Sequence, residues 1–525
     1  MGAVRGKARC LLPRSDRLTS QIMLRTLADL FRLARAGLVL ARHDALIPRE
    51  YDAALPPGVR LLGKLTRLGA KDRGLRPGQR LARALAGQGP GYVKFGQLLA
   101  TRPDIVGVQM ADDLTELQDR MPPFPLAEAK AEVARALRQP VEAAFETFSE
   151  PVAAASVAQV HRAVTTDGAV VAVKVLRPGI EAQARREFRA FRLGARIAQA
   201  LVPAARRMRP VAFIDTLAAS AEVELDLRME AGAQSQLRED FLSEPRLRVP
   251  NVVWSLSSRR VLTTEWVDGV PVSNTALLDE RGHDRPALAV LAMRTFLRSA
   301  LTRGFFHADM HQGNLMVDEE GRLVLLDFGI MGRLDEAARR AFAEIIYGFT
   351  QRDYDRAARA HFDAGYVPAH HSQDAFATAL RAVGEPIFGR RADAMDMSKV
   401  LQQLFDVTEV FDMHLREELV LLQRTMVVAE GVARVLDPRI DLWATAEPIV
   451  RDYVKRQVGP GALFRQAGVN ARAARELFDQ FPEFAAAAEK VAGQLANGGL
   501  RLSDDTVERL AAAMRGERVR QEAEG

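Results

Sequence analysis

Residues 306–329 read FHADMHQGNLMVDEEGRLVLLDFG, and the rest of the chain is best understood outward from them. His307, Asp309 and Asn314 fall in a loop. Gly321 breaks the polar stretch 318–322, and the apolar run 323–326 carries Asp327-Phe328-Gly329 out of a buried strand. A carboxylate, an asparagine five residues on and a second carboxylate beyond a hairpin suit phosphoryl transfer from ATP. Asp309 would position or deprotonate the attacking oxygen, and Asn314 and Asp327 would hold Mg²⁺ against the phosphates. Asp and Asn are also ordinary turn residues, so either half alone reads equally well as a polar turn between strands. Both halves in order, with an apolar strand feeding the second, favour the chemistry.

The spacing is that of protein kinases, H-x-D-x-x-x-x-N followed by D-F-G. Their other parts can be sought upstream. Residues 114–148 read as helices. Residues 152–158 read as a small-residue loop, Asp167-Gly168 as a hairpin turn and 170–175 as a β run with Lys174 near its end. Kinases cover the ATP phosphates with a Gly-rich loop and pair them with a Lys on the third strand. Here Ala153, Ala154, Ala155 and Ser156, followed by Val157, stand where that loop would be. Alanine lacks the access of glycine to positive φ, so the loop should sit differently on a nucleotide. A Lys in a buried VAVKV strand needs an anion, which is either the nucleotide or an ion pair without it.

Residues 220–240 read as one charged helix carrying Glu224, Asp226 and Glu230. Kinases pair a helix Glu with the strand Lys. Glu230, 56 residues after Lys174, could fill that role only with a helical segment inserted between them. Such residues also serve solubility on charged helices. The run 261–267, followed by Gly269, marks a hinge between two lobes, with the backbone of Glu265 and Val267 against adenine. Residues 248–272 as a whole read as two strands, a turn and a linker. After Gly329 the helical pattern resumes at Asp335, leaving no Ala-Pro-Glu element and no room for a long activation segment. Residues 335–456 read as helical throughout, and 461–525 as an Ala-rich, charged, helical tail.

With 525 residues, the chain could hold about three domains, or one two-lobed catalytic domain with extensions. The single cysteine, Cys10, rules out a disulfide framework and suits a reducing compartment. No apolar run approaches the ~20 residues needed to span a bilayer, and no secretory signal is visible, so a cytoplasmic location is expected. Residues 1–90 carry 18 Lys and Arg against 6 Asp and Glu, although the whole chain is only +6. This basic N-terminal segment points to an anionic partner. In residues 21–42, Leu24, Leu27, Phe31 and Leu38 form a helical stripe with Arg25, Arg32, Arg35 and Arg42 largely off it. That is either an amphipathic helix on acidic lipid or a surface helix packed on the body; the charge asymmetry favours the membrane. A nucleic-acid partner is not expected, because no aromatics interleave with the basic residues. Lys94 and Gln97 share one face of a further helix, with Val93, Phe95, Leu98 and Leu99 turned to a core. Alone, that is an amphipathic helix with a solvated Lys.

KFGQ, AAASVAQVH, VAVK, ELD, HADMHQGN and DFG, in this order, resemble the UbiB family of atypical kinases, tied to ubiquinone (coenzyme Q) biosynthesis. The resemblance covers roughly residues 20–460, and the element Ala41-Arg-His-Asp-Ala-Leu-Ile-Pro48 adds to it. It implies an α+β, two-lobed kinase-like fold: a helical extension (1–88), a small N-lobe with inserted helices (89–268), a helical C-lobe (269–460) and a tail (461–525). It further implies ATP and Mg²⁺ as cofactors, Lys174 on the nucleotide with Glu230 as its partner, Asp309 as the catalytic Asp and Asn314 and Asp327 as metal ligands. Lys94 and Gln97 would belong to a lid closing the site against protein substrates, with Glu224 and Asp226 as its acidic counterpart. Implied partners are ubiquinone-biosynthesis proteins, polyprenyl-phenol intermediates and the anionic face of the inner membrane, held peripherally; a homodimer stays open. Two features depart from the family. Met310 and Gln312 replace the prolines of its His-Ala-Asp-Pro-His-Pro-Gly-Asn loop, and the tail lacks the membrane-spanning helices of many bacterial relatives.

Overall fold

The computed structural model describes residues 14–45, 57–66, 72, 74–100, 106–114, 117, 122–201, 209–386, 403, 406–408, 410–413 and 417–458. The first compact unit ends at Arg451; of the second, residues 452–458 are described. The tail read as helical at 461–525 lies outside the described residues.

Strands β1 (Phe145–Ala154), β2 (Ala158–Thr165), β3 (Val170–Leu176) and, after an excursion, β5 (Val261–Glu265) form an antiparallel sheet in that order. The β2–β3 turn is the expected Asp167-Gly168, where Gly168 takes φ +88°, a region costly for other residues. Successive side chains of β3 alternate between faces. Val171, Val173 and Val175 are buried against Val133, Val141, Phe145 and Ala163, each stabilising the sheet by about 1.5–3 kcal/mol. Ala172 and Lys174 point to the opposite face.

Helices were expected up to residue 148, but only α6 (Leu126–Leu137) and the single turn α7 (Val141–Ala144) precede β1, which starts at Phe145. The Thr and Phe content of 145–148 suits a strand once β2 lies beside it. The loop expected over 152–158 is likewise shorter, because β1 runs to Ala154 and β2 begins at Ala158. Between β3 and β5 lie the helices α8 (Ile180–Leu201), α9 (Pro210–Glu224) and α10 (Leu227–Asp240). The charged helix expected over 220–240 is thus two. Asp226 interrupts it as the N-cap of α10, accepting from the Arg228 backbone N–H.

A second sheet has the order β4 (Leu247–Arg248), β9 (Leu323–Leu325), β8 (Leu315–Asp318), β6 (Gly269–Pro271). The strands read over 248–272 therefore divide between two sheets. Strand β7 (Phe305–His307) pairs antiparallel with β10 (Met331–Arg333), which places His307 opposite Met331. The two ends of the 306–329 stretch are tied together, and β10 fills the interval before α13 (Glu336–Thr350), capped by Asp335. Helices α11 (Thr275–Glu280), α12 (Arg285–Arg298), α14 (Tyr354–Asp363), α15 (Gln373–Gly384), α16 (Glu417–Leu436) and α17 (Leu442–Val458) follow the chain order around these sheets. The region read as helical throughout is interrupted by a loop over 364–372.

At the N-terminal end, α1 (Arg14–Arg42), α2 (Pro57–Thr66), α3 (Pro77–Ala86), α4 (Pro90–Ala100) and α5 (Val108–Leu114) precede the first sheet. Ala36, Ala82, Leu85, Tyr92, Leu99, Leu114 and Leu117 form one apolar cluster. Hydrophobic packing therefore runs straight across the boundary expected at residue 88. Helix α1 packs on α8, where Leu33 meets Gly194 and Asp29 pairs with Arg189 at 3.3 Å. Its other side leaves Leu27, Leu30, Phe31 and Leu38 exposed, Phe31 by 73%. The helix thus packs on the body, as one of its two readings expects, and still presents an apolar stripe. Among the described residues, no helix is long and apolar enough to cross a membrane.

Candidate active site

A cleft of about 1,330 Å³ lies between the first sheet and the loops of the second. Lys174 enters it from β3, between its register partners Val160 and Leu262. Its Nζ donates to both carboxylate oxygens of Glu230, at 2.8 and 3.0 Å, and to Asp327 Oδ1 at 3.2 Å. The pair that sequence could only suggest across 56 residues is therefore formed, and the α8 and α9 insertion is what brings α10 beneath β3. Burial disfavours the Lys174 charge, yet Asp327 and Glu230 outweigh it and raise the ammonium pKa well above its usual value. Glu230 is 8% exposed, and burial, aided by the charge of Asp327 and opposed by Lys174, pushes its carboxyl up to about 7. Burial also acts on Asp327, but Lys174 and the Gly329 N–H hold its carboxyl below the usual range. The Asp327 side chain remains 48% exposed, so water in the cleft screens this contact and leaves the carboxylate able to exchange partners.

Asp327 sits at φ +56°, a left-handed conformation that costs Asp less than most residues. Strain of this kind collects where a side chain must be aimed. The loop across from it is braced by His307. One ring nitrogen accepts from the Asp309 N–H at 3.1 Å, so the other donates to the Leu326 carbonyl at 3.0 Å. Burial depresses the His307 pKa and keeps that neutral form. Asn314 donates through Nδ2 to the Asp309 carbonyl at 3.0 Å, and its own carbonyl accepts from the Leu326 N–H at 2.9 Å. Asp309, Asn314 and Asp327 thus line one cleft and offer hard oxygen donors of the kind Mg²⁺ takes, beside a Lys able to receive an anion. The donor set fits MgATP.

Ala153, Ala154, Ala155 and Val157 line the same cleft. Their turn is fixed rather than free. Arg177 donates from Nε and Nη2 to the Ala155 carbonyl at 3.1 and 2.9 Å, and its backbone N–H reaches the Val157 carbonyl at 2.8 Å. Ser156 is buried and is not among the lining residues, so it does not join the loop residues facing the cleft. Gln159 and His161, from the same motif, are also structural. Gln159 exchanges two hydrogen bonds with the Phe124 backbone and donates to His161, which donates in turn to the Ser149 carbonyl at 2.8 Å. Glu265 and Val267 line the cleft, and the Glu265 side chain pairs with Arg248 while its backbone remains in β5.

Lys94 is not solvated. It lies in the cleft wall on α4, its side chain 10% exposed, in an ion pair with Glu224 at the end of α9. Gln97 Nε2 donates to the Leu117 carbonyl at 3.4 Å, and a Cβ on Gly96 would lie 2.2 Å from Leu117 Cδ1, so α4 is packed closely on the segment after α5. Asp226, expected to work beside Glu224, is not in the cleft; it caps α10 and pairs with Arg228 at 2.6 Å. Its position just before a helix is itself an N-cap signal. Arg424 on α16 stands out in the sequence only as a landmark of the helical region 335–456, with no role attached. It lines the cleft, where burial lowers its pKa and the charge of Asp309 opposes that shift. Next to it, Thr425 donates to the Ala308 carbonyl at 3.2 Å.

Comparison with known proteins identifies the family. The profile of the ABC1 atypical kinase-like domain matches residues 116–361, and that of the UbiB helical domain matches 380–441. A "Probable protein kinase UbiB" of Marinobacter nauticus is 37% identical over 396 residues, covering 74% of this chain and 72% of that relative. The protein of the same name in Tolumonas auensis is 38% identical over 443 residues, covering 83% of this chain and 81% of the relative. A solved complex of Rv3197 with erythromycin from Mycobacterium tuberculosis is 24% identical, covers 75% of this chain and 97% of that one, and superposes with a TM-score of 0.48.

Proposed function

Because the chain belongs to the UbiB family of atypical kinases, we propose that it binds and turns over MgATP in support of ubiquinone biosynthesis, acting on or presenting polyprenyl-phenol intermediates. The observation that carries this reading is the Lys174–Glu230–Asp327 constellation on one wall of the cleft, with Asp309 and Asn314 on the loop facing it. Lys174 would pair with the phosphates. Asp327 and Asn314 would hold Mg²⁺, which supplies charge neutralisation on the phosphates. Asp327 Oδ1 now accepts from Lys174, and it would have to release that contact to serve as a metal ligand. Asp309, its side chain 32% exposed and its backbone fixed by His307, would orient the attacking oxygen.

The Lys94–Glu224 ion pair stands in the wall of the same cleft, which supports turnover of ATP or a small acceptor over phosphorylation of proteins. The exposed stripe Leu27, Phe31 and Leu38 on α1, within the basic segment 1–90, supports peripheral attachment to the cytoplasmic face of the inner membrane. There it would meet other ubiquinone-biosynthesis proteins.

The test is paired. Purified protein should release phosphate from ATP in a Mg²⁺-dependent manner, faster with anionic vesicles or phenols, and the Asp327→Asn variant should not. Deleting the gene in its host should deplete ubiquinone. A normal quinone profile would sink the pathway assignment, and a stoichiometric phosphorylated small molecule would replace the ATPase with a phosphotransferase.

A further inference from the structure

Outside the cleft, the described residues contain one cluster with the chemistry of a metal site. His370 and His371, in the loop between α14 and α15, face Asp412, and one ligand atom from each lies within 4.8 Å of the others. His371 Nε2 is 3.2 Å from Asp412 Oδ2, and His370 Nε2 is 3.9 Å from the same oxygen. The two imidazole rings lie 4.2 Å apart at 37° to each other. Two imidazoles thus converge on a single carboxylate oxygen, the donor mix of first-row transition ions and a poor one for Mg²⁺.

The base of this cluster is fixed. Phe411 is buried with Tyr354 and Phe376, 4.9 Å from the Phe376 ring and 5.4 Å from that of His371. The His371 N–H closes a turn on the Pro368 carbonyl at 3.1 Å. The outer edge is open, with His370 69% exposed. Ligands around tetrahedral Zn²⁺ at about 2.0–2.1 Å sit roughly 3.4 Å apart. The 3.2 and 3.9 Å separations bracket that figure, and exposed His370 has room to swing inward.

The geometry points to a Zn²⁺-class site, with His370, His371 and Asp412 as ligands and water completing the shell. The ion clips the 411–412 turn, within the UbiB helical match, to the 364–372 loop, which lies between the two matched regions. It is independent of the MgATP chemistry proposed above.

The test uses the full chain, stripped with chelator and titrated with Co²⁺ as a visible probe. One equivalent should bind with d–d absorbance, displaced by Zn²⁺ and not by Mg²⁺. His371→Ala and Asp412→Asn should weaken binding by more than about tenfold. His370→Ala, at an exposed position, does the same without risk to folding, and Asp327→Asn should bind Co²⁺ as wild type does. No uptake by the wild-type chain, uptake unchanged in all three ligand variants, or uptake lost in Asp327→Asn would each overturn the proposal.

Discussion

Breaking the Lys94–Glu224 pair should loosen α4 by a calculable amount. At an effective dielectric constant of about 20, two unit charges in contact attract by about 4 kcal/mol before desolvation is subtracted. The Lys94 and Glu224 side chains are 10% and 22% exposed, so much of the desolvation cost is already present in the folded protein. Removing one partner then leaves the other charge poorly solvated, a loss of about 2 kcal/mol at this partial burial. In amide hydrogen exchange, 2 kcal/mol of local opening is roughly a 30-fold faster rate. Lys94→Met and Glu224→Gln should each accelerate exchange across α4 by about that factor. The double variant has no orphaned charge and should recover to within a few-fold of wild type. Both single variants should also gain measurable phosphate transfer to polypeptide if α4 is the lid. Independent, additive effects in the double variant would refute the coupling. A loosened α4 with no transfer to protein would refute its role as a barrier while keeping the ion pair.

Three further outcomes are expected. Asp327→Asn should lower Mg²⁺-dependent phosphate release by about 10²–10³-fold, as removal of a preorganised charge in an active site does, measured by steady-state assay. Arg424→Met should impair turnover while leaving nucleotide affinity, followed by fluorescence titration, within a few-fold of wild type, since Arg424 faces Asp309 and not Lys174. His361 is buried on α14, with burial lowering its pKa to about 4. The unfolded chain, at about 6.5, binds that proton more readily, so His361 costs no stability above pH 6.5 and about 3 kcal/mol by pH 4. His361→Gln should flatten the fall in thermal midpoint across that window.

The chemistry was legible because its residues are close in sequence or sit in patterned elements. Asp309, Asn314 and Asp327 fall within one hairpin, and the alternation of β3 alone turns Lys174 away from Val173 and Val175. The contacts across long separations were not. Lys94 looked solvated because its partner lies 130 residues away. Arg424 looked like an unremarkable helical residue because nothing local marks a helix face that returns to Asp309. The alanine turn read as one that sits differently on a nucleotide from a glycine loop, and nothing local showed that Arg177, just past β3, pins its carbonyl. Asp226 shows the converse: the family resemblance grouped it with Glu224, and its contacts in the structure are those of a helix cap, a common use of Asp at the start of a helix.

What surrounds Asp309 bears on the proposed acceptor. In a protein kinase the peptide lies on the segment after the Asp-Phe-Gly element. Here only Ile330 separates Gly329 from β10, and β10 is hydrogen-bonded to β7, so that platform has no length in which to exist. Among the residues lining the cleft are the aliphatic Ala100, Ala111, Leu114, Leu117, Val427 and Val428, together with Arg424. An extended peptide brings backbone N–H and C=O groups that such walls cannot satisfy, and each would be costly to bury. A molecule with an apolar body and one polar or anionic end meets no such penalty, because its body packs on the aliphatic wall while its end reaches Arg424 and Asp309. The walls are thus compatible with the proposed lipid-like phenol and less so with a protein, if the cleft turns over ATP as proposed.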